Sequence, residues 1–408
     1  MPTLAENLLC SGCSACSVTC PKGAISMVED FEGFKRPIIN SSLCVECGLC
    51  EKACHVISPY PDRRPIEIYA ARAKNDTIRF AASSGGIFPL LGANTISDGG
   101  IVWGVRWDRN NRIPRAIHDY ANTMQGLKEF RGSKYVQSQV NNIYKTVKSQ
   151  LNEGQNVLFS GTPCQISGLK HFLKKDYPNL TCCEVICHGV PSPKVLNDYI
   201  ATLLPQNSPD HEYQIKEVTF RNKLHKEGGW RNGVVVVVVV VVDKHNGTEK
   251  EYVVSDRRAD TDPYLRGFLC ELINRPSCHN CTVRNLKSGA DITLGDFWKI
   301  QKYVPQIDDD MGVSLVCINT EKGQRLYNEI KPQLSDSVAV NWDAAVDSTG
   351  ALVESPKAHR RRSRFFKDFS KNGFQEKSII KMLRPTTKQI INKYIRIFKA
   401  KVRPYIKK

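Results

Sequence analysis

Sulfur is the chemistry this chain advertises first. Eight of its sixteen cysteines lie near the amino terminus in two copies of one spacing, Cys10, Cys13, Cys16, Cys20 and Cys44, Cys47, Cys50, Cys54. Each copy reads CxxCxxCxxxC. Thiolates two residues apart can wrap one face of an iron–sulfur cube, because tight turns bring every third residue back toward one point. The fourth cysteine of each copy sits too far along to close its own cube and reaches the other one. This assigns Cys10, Cys13, Cys16 and Cys54 to one 4Fe-4S cluster, and Cys44, Cys47, Cys50 and Cys20 to a second. Pro21 follows the first copy, whereas His55 stands at the matching place after the second.

A disulfide framework would suit a small secreted domain, but no secretory signal peptide is read here, and duplicated metal spacing belongs to a reducing compartment. Structural zinc would want paired CxxC units with a longer gap. The expectation is a two-cluster ferredoxin domain over residues 1–60 in a cytoplasmic protein.

Eight cysteines remain, four of them in motif-like settings: Cys164 in GTPCQ, Cys187 in CHGVPSP, and Cys278 with Cys281 in CHNC. A CxxC pair plus two thiols from strand ends could close a third 4Fe-4S cluster, since such ligands need only converge in space. A CxxC zinc or redox pair beside unrelated buried cysteines is the competing reading. Cys182, Cys183, Cys270 and Cys317 lie in apolar stretches and are expected in the core. His188 beside Cys187 does not suggest a thiol–imidazole nucleophile, because successive strand residues point to opposite faces.

The elements that must position these groups are legible in outline. Residues 24–28 and 36–39 alternate as short strands, and Pro59, Pro61 and Pro65 mark a linker. Strands are expected at 66–73, 101–107, 156–160, 181–186, 290–296 and 313–319, the last read as the final core strand, with a helix over 323–334. The strands at 156–160 and 181–186 each run into a cysteine and then a helix, which suits a site at the carboxyl end of an open sheet. Segments 215–221, 230–242 and 250–254 read as an antiparallel group that includes nine consecutive valines, Val234 to Val242.

Charge is unevenly placed. The net charge is +17, yet residues 356–408 hold 18 Lys and Arg against Asp368 and Glu376. A near-neutral body argues against a nucleic-acid binder, which would be expected to carry its basic patches on the folded domain. No apolar run reaches the ~20 residues of a membrane span. In the tail, Ile379, Ile380, Leu383, Ile390, Ile391, Tyr394, Ile395 and Phe398 recur at helical spacing among lysines, with a break at Pro385. Such a basic amphipathic segment suits an anionic membrane surface, the inner face of the membrane included, or an acidic partner. A helix packed on the body with its lysines in water fits equally.

Taken together, the ferredoxin repeat, SSGG, GSKYVQS, GTPCQ, CHGVPSP, CxxC and ADITLGDFW resemble the beta subunit family of coenzyme F420 hydrogenases and dehydrogenases, over most of the chain up to about residue 355. The resemblance implies an α+β architecture, with the ferredoxin domain followed by a mixed α/β FAD and iron–sulfur domain over 66–355. The basic helical tail over 356–408 lies beyond it and is not associated with the hydrogenase subunits, which argues against simple equivalence. It implies a third 4Fe-4S cluster on Cys164, Cys187, Cys278 and Cys281. It also implies FAD, with Ser84, Gly85 and Gly86 at the phosphates and Ser133, Lys134, Tyr135, Thr162 and Gln165 around the flavin. Asp296 is a candidate orienting group or a simple strand-end cap. The function implied is a flavin-dependent iron–sulfur oxidoreductase acting on an organic substrate or deazaflavin. It would exchange electrons with a redox partner protein or a small carrier; a non-catalytic relay protein is the alternative.

Overall fold

The computed structural model describes residues 1–205, 211–223, 229–231, 233–245 and 247–384. In the amino-terminal unit, β1 (Ile25–Glu29) pairs antiparallel with β2 (Lys35–Ile39), beside the short helices Ala15–Thr19 and Leu49–Lys52. The body is an eight-stranded mixed sheet. Its strands are β3 (Glu67–Ala73), β4 (Ile101–Asp108), β5 (Arg115–Ala121), β6 (Val157–Gly161), β7 (Leu180–Val185), β11 (Ile292–Asp296), β12 (Ser314–Ile318) and β13 (Leu334–Ala339). They lie in the order β13-β3-β12-β11-β7-β6-β4-β5. A three-stranded antiparallel sheet of β8 (His211–Asn222), β9 (Val234–Asp243) and β10 (Glu249–Arg258) stands apart from it, with β9 in the middle.

The four central strands β11, β7, β6 and β4 are mutually parallel. Their carboxyl ends therefore emerge along one edge of the sheet. The helices that return from this edge start with proline at their first position, Pro163–Leu173 after β6 and Pro193–Leu203 after β7, where a missing N–H costs nothing. The valine run becomes the middle strand of the small sheet. Val234 to Val237 and Val239 are buried, packed with Trp107, Phe220 and Tyr264, and burial on both faces removes the need for polar alternation.

Three elements depart from the sequence expectations. β5 buries Ala116 and His118, small or polar residues that carry little hydrophobic signal. The helix expected over 323–334 is Glu321–Ile330 and is followed by β13, which adds to the antiparallel edge beside β3; β12 is therefore not the last strand of the sheet. Cys270, expected in the core, is exposed as the residue that closes the helix Pro263–Leu269.

The segment after residue 356 does not begin as a separate tail. Helix Arg362–Asn372 buries Phe365, Phe366 and Phe369 in a cluster with Phe34 of the amino-terminal unit and Tyr199 of the body. Arg362 grips Glu32 at 2.8 and 2.5 Å and donates to Asn274 O at 2.8 Å. Residues 385–408, which include Ile390, Ile391, Tyr394, Ile395 and Phe398, lie outside the described residues, and so does most of the segment read as a membrane-binding helix. Among the described residues no helix is long and apolar enough to cross a membrane.

Both partners of the Arg362–Glu32 pair are nearly inaccessible, so removing one strands a buried charge. Arg362→Ala is expected to destabilise the fold by about 3–5 kcal/mol, read as a lower urea midpoint. The double variant Arg362→Met with Glu32→Gln should recover a large part of that loss. An unchanged midpoint in Arg362→Ala would contradict the pairing.

Candidate iron–sulfur centres and the adjoining sheet edge

The amino-terminal unit sits against the carboxyl edge of the large sheet and is tied to it by polar contacts. Gln137 Nε2 donates to Ser11 O at 2.9 Å, Ser192 Oγ to Glu32 O at 2.5 Å, and Arg275 Nε to Cys10 O at 2.8 Å. Gly168, on the helix after β6, is glycine for lack of room: a Cβ there would stand 3.0 Å from Cys13 Sγ and from Tyr144 Oη. The proline-rich connector is also fastened down, by Arg63 N to Asn285 O at 3.1 Å and Lys287 to Asp62 at 2.7 Å.

The cysteines gather in three quartets. Cys10, Cys13, Cys16 and Cys54 line one cavity, and Cys20, Cys44, Cys47 and Cys50 line a second. Each of these two cavities is lined by the four cysteines that the spacing groups together. Cys164, Cys187, Cys278 and Cys281 line a third cavity. No cysteine is in a disulfide.

The third quartet is assembled by the edge. Cys164 begins the helix after β6, and Cys187 follows the adjacent parallel strand β7. The turn holding Cys278 and Cys281 is brought alongside by Arg275 N to Val190 O at 2.9 Å, and Val190 N points at Cys278 Sγ at 3.4 Å. The Glu271 carboxylate lies beside both Cys-His steps, 2.5 Å from His188 Nε2 and 3.6 Å from His279 Nδ1, while His279 Nδ1 meets Pro356 O at 3.1 Å. His188 thus faces a carboxylate and not the neighbouring thiol.

Four cysteines to a cavity is the donor set a 4Fe-4S cluster takes, while among the described residues no group of three or more His, Cys, Asp or Glu is drawn together tightly enough to hold a metal ion. Burial first, and crowding by neighbouring thiols next, raises the pKa of Cys13 and pushes Cys16 up to about 12. In the third quartet burial is again the main cause. It pushes Cys278 up to about 12, raises Cys164, and raises Cys187 well above the ordinary thiol range. Binding a cationic cluster as thiolates relieves that strain.

The first and third cavities share a wall. Ser11 and His55 line both. His55 is buried, with Nε2 2.9 Å from Ser11 Oγ and Nδ1 3.3 Å from Thr282 Oγ1. Cys54–His55 and Thr282–Cys281 are therefore joined by a single hydrogen bond. Sequence reading missed this function for Ser11, His55 and Arg275; the only sign of it was a histidine standing where the repeat has proline.

The residues expected at a flavin fall along the same edge in two groups. Ser84, Gly85 and Gly86 connect to β12, with Ser84 Oγ donating to Val313 O and Gly85 N to Ser314 Oγ, both at 3.0 Å. A Cβ on Gly85 would lie 2.4 Å from Ala71 O, so this glycine is required by strand packing. Gly86, at φ +85°, opens the helix Ile87–Ser97 without a side-chain cap. Ser133 N and Oγ meet Ser83 Oγ at 2.7 and 2.9 Å, and Tyr135 Oη accepts from Arg221 at 3.2 Å. Lys134 donates to the carbonyls of Glu129 and Arg131, both at 2.8 Å, and burial lowers its pKa to about 7. Asp296 is held by Arg221 and by Trp230 Nε1, each at 2.9 Å, and Trp298 stacks on Trp230.

The second group lies beside Cys164. Thr162 Oγ1 is 3.2 Å from Cys164 Sγ and donates to Gln165 Oε1 at 2.9 Å, while Gln165 Nε2 donates to Ser138 Oγ at 2.9 Å. Ser138 Oγ lies 3.1 Å from His118 Nδ1, and His118 Nε2 lies 3.2 Å from Ser160 O. A neutral imidazole satisfies both contacts by donating from Nε2 and accepting at Nδ1.

Comparison with known proteins finds matches in two stretches of the chain. Residues 154–335 match the family described as the carboxyl-terminal part of the coenzyme F420 hydrogenase/dehydrogenase beta subunit, and residues 9–57 match the 4Fe-4S dicluster domain. Residues 154–335 thus carry a domain of the F420 hydrogenase/dehydrogenase beta-subunit family, behind a 4Fe-4S dicluster domain. The chain therefore combines an iron–sulfur domain with a beta-subunit-type domain in an α+β fold. The chain is 31% identical over 83 residues to an iron-sulfur subunit of the CoB–CoM heterodisulfide reductase from Methanocaldococcus jannaschii. It is 32% identical over 74 residues to an uncharacterized polyferredoxin-like protein of the same organism. Each match spans 16% of this chain, and covers only 12% and 44% of those relatives. The F420-reducing NiFe hydrogenase complex from Methanosarcina barkeri aligns at 18% identity with a TM-score of 0.45, over 71% of this chain and 89% of that chain.

Two outcomes check the site. Cys20→Ser should perturb the paramagnetic signal of the cluster on Cys44, Cys47 and Cys50, and Cys54→Ser that of the cluster on Cys10, Cys13 and Cys16; the reverse pattern would contradict the crossed ligation. His118 supplies a pH dependence, since burial lowers its pKa to about 4, whereas the unfolded imidazole titrates near about 6.5. The unfolded chain alone takes up this proton below that point. The contribution is therefore complete above about pH 6.5 and is lost as pH falls toward about 4. Between about pH 7.5 and about pH 5.5 the loss is about 1.3 kcal/mol, and His118→Asn should lose correspondingly less over that interval in urea titrations.

Proposed function

We propose that this chain is a flavin-dependent iron–sulfur oxidoreductase in which three 4Fe-4S clusters form a line ending beside a flavin at the carboxyl edge of the large sheet. The observation that carries the proposal is the third cysteine quartet, which shares the Ser11–His55 wall with the first. Electrons would enter at the cluster on Cys20, Cys44, Cys47 and Cys50. Cys47 is exposed there, and Leu43, Val45 and Ile38 present apolar surface suited to a redox partner protein. They would pass through the cluster on Cys10, Cys13, Cys16 and Cys54, and then along the His55–Thr282 contact to the cluster on Cys164, Cys187, Cys278 and Cys281.

The flavin, proposed as FAD, would supply the exchange between one-electron and two-electron chemistry. Several features support its placement. The uncapped helix start at Gly86 offers backbone N–H groups to a phosphate. Thr162 and Gln165 form a fixed polar wall next to Cys164, and Arg221 with Tyr135 and Asp296 forms a second one. Lys134 and Ser133 hold the loop between these walls in place through carbonyl and hydroxyl contacts. The chain's own residues would bind, orient and exclude water, while the substrate would be an organic hydride donor or acceptor, a deazaflavin among them.

Anaerobic purification followed by iron, sulfide and flavin quantification tests this. About twelve irons and one FAD per chain are expected, and Cys164→Ser with Cys281→Ser should bring iron down to about eight while the ferredoxin signals persist. About eight irons and no flavin in the unaltered protein would overturn the proposal.

A further inference from the structure

Arg275 is a fully buried guanidinium, 0% exposed, and it lies between the first cysteine quartet and the third. It donates from Nε to Cys10 O at 2.8 Å, from Nη1 to Gln137 Oε1 at 2.9 Å and from Nη2 to Lys35 O at 2.9 Å. Every one of these acceptors is neutral. The remaining contact is to sulfur: Nη2 lies 3.9 Å from Cys10 Sγ. Arg275 also lines the cavity of Cys164, Cys187, Cys278 and Cys281, and the Phe34 ring covers its face at 5.2 Å.

A buried cation without a carboxylate is costly unless some other negative charge stands nearby. The sulfurs that cluster binding would make anionic around Arg275 are Cys10, at 3.9 Å, and Cys278 and Cys164 of the cavity it lines. Those three thiols belong to two different quartets. The chain has made space for this contact: a Cβ on Gly12 would stand 2.8 Å from the guanidinium, and Gly12 holds φ +68° between two cluster ligands.

We infer that Arg275 is the shared counter-cation of the first and third clusters and sets the reduction potential of both. This rests on the third-cluster reading above. Each four-thiolate cube is anionic, and one electron passed to it from the neighbouring cube, or from the external carrier, adds one negative charge to the acceptor and removes one from the donor. A fixed positive charge between them stabilises the reduced form of each, so both potentials stand higher than those of equally buried cubes without it. Because Arg275 reaches one quartet by hydrogen bond and the other by cavity contact, it keeps the two close enough in potential for electrons to move in either direction. The cluster on Cys20, Cys44, Cys47 and Cys50 lies outside its contacts and serves as an internal control.

The experiment is an EPR-monitored redox titration of the full chain, purified without oxygen and assayed for iron. Arg275→Gln should move the midpoints of the first and third clusters to more negative potential and leave the second in place, while Arg275→Lys, which keeps the charge, should stay near the unaltered protein. Gln137→Glu reaches the same end without emptying the site: it sets a carboxylate against Arg275 Nη1, and should lower the same two midpoints. It therefore decides the matter even where Arg275→Gln does not fold. About twelve irons with unmoved midpoints in Gln137→Glu would overturn the inference alone. About eight irons in the unaltered protein would overturn the reading on which it stands.

Discussion

An iron–sulfur cube needs four sulfur atoms around one small volume, and a polypeptide can deliver three of them locally and no more. CxxCxxC closes three corners through successive turns, so the fourth corner must come from elsewhere in the chain. In the amino-terminal unit the cavity linings are exchanged between the two repeats: Cys54 stands with Cys10, Cys13 and Cys16, and Cys20 with Cys44, Cys47 and Cys50. That exchange fixes the separation of the two repeats and makes one cluster's integrity depend on the other's segment. The third quartet has no local triplet at all. It depends on adjacent parallel strands placing Cys164 and Cys187 side by side, and on a paired loop carrying Cys278 and Cys281 to them.

The same requirement explains why the ferredoxin unit is fastened to the body and not tethered by a loose linker. Transfer between two buried centres needs a fixed and short separation, and the fixing groups are themselves buried: Arg275 at Cys10 and Lys35, Ser192 at Glu32, and Arg362 at Glu32 and Asn274. The helix Arg362–Asn372 acts as a strap across both units, its phenylalanines meeting Phe34 from one and Tyr199 from the other. Polar and charged groups buried this deeply hold only where their partners are in register, so the docking geometry and the fold stand or fall together.

Much of this was readable in advance, and the reason differs by element. The eight amino-terminal cysteines line the two cavities in the groups that their spacing suggests, because a repeated CxxCxxCxxxC leaves few ways to bring four sulfurs together. The strand ends carrying Cys164 and Cys187 were legible from apolar runs that stop at proline-bearing turns. Arg275 was not, since nothing local distinguishes a buried arginine from a surface one; its meaning comes from Cys10 and Gln137, remote in sequence. Cys270 looked apolar by its neighbours Phe268, Leu269 and Leu272, but its position at a helix end turned it outward. The basic composition after residue 356 masked three buried phenylalanines, because the charge of Arg362 to Arg364 outweighs them in any average. In the turn before the helix Ile87–Ser97, Gly85 proved to be demanded by Ala71 and Ser314, a packing role that a SSGG pattern does not express.

The central claim is that three thiolate quartets hold three cubes in a line that ends at the carboxyl edge of the sheet. Anomalous diffraction at the iron edge, from crystals grown and frozen without oxygen, tests it most directly. Three compact iron peaks are expected, one inside each quartet, with the peak at Cys164, Cys187, Cys278 and Cys281 on the far side of His55 from the peak at Cys54. A third quartet occupied by a single zinc ion, or iron confined to the two amino-terminal quartets, would contradict the account.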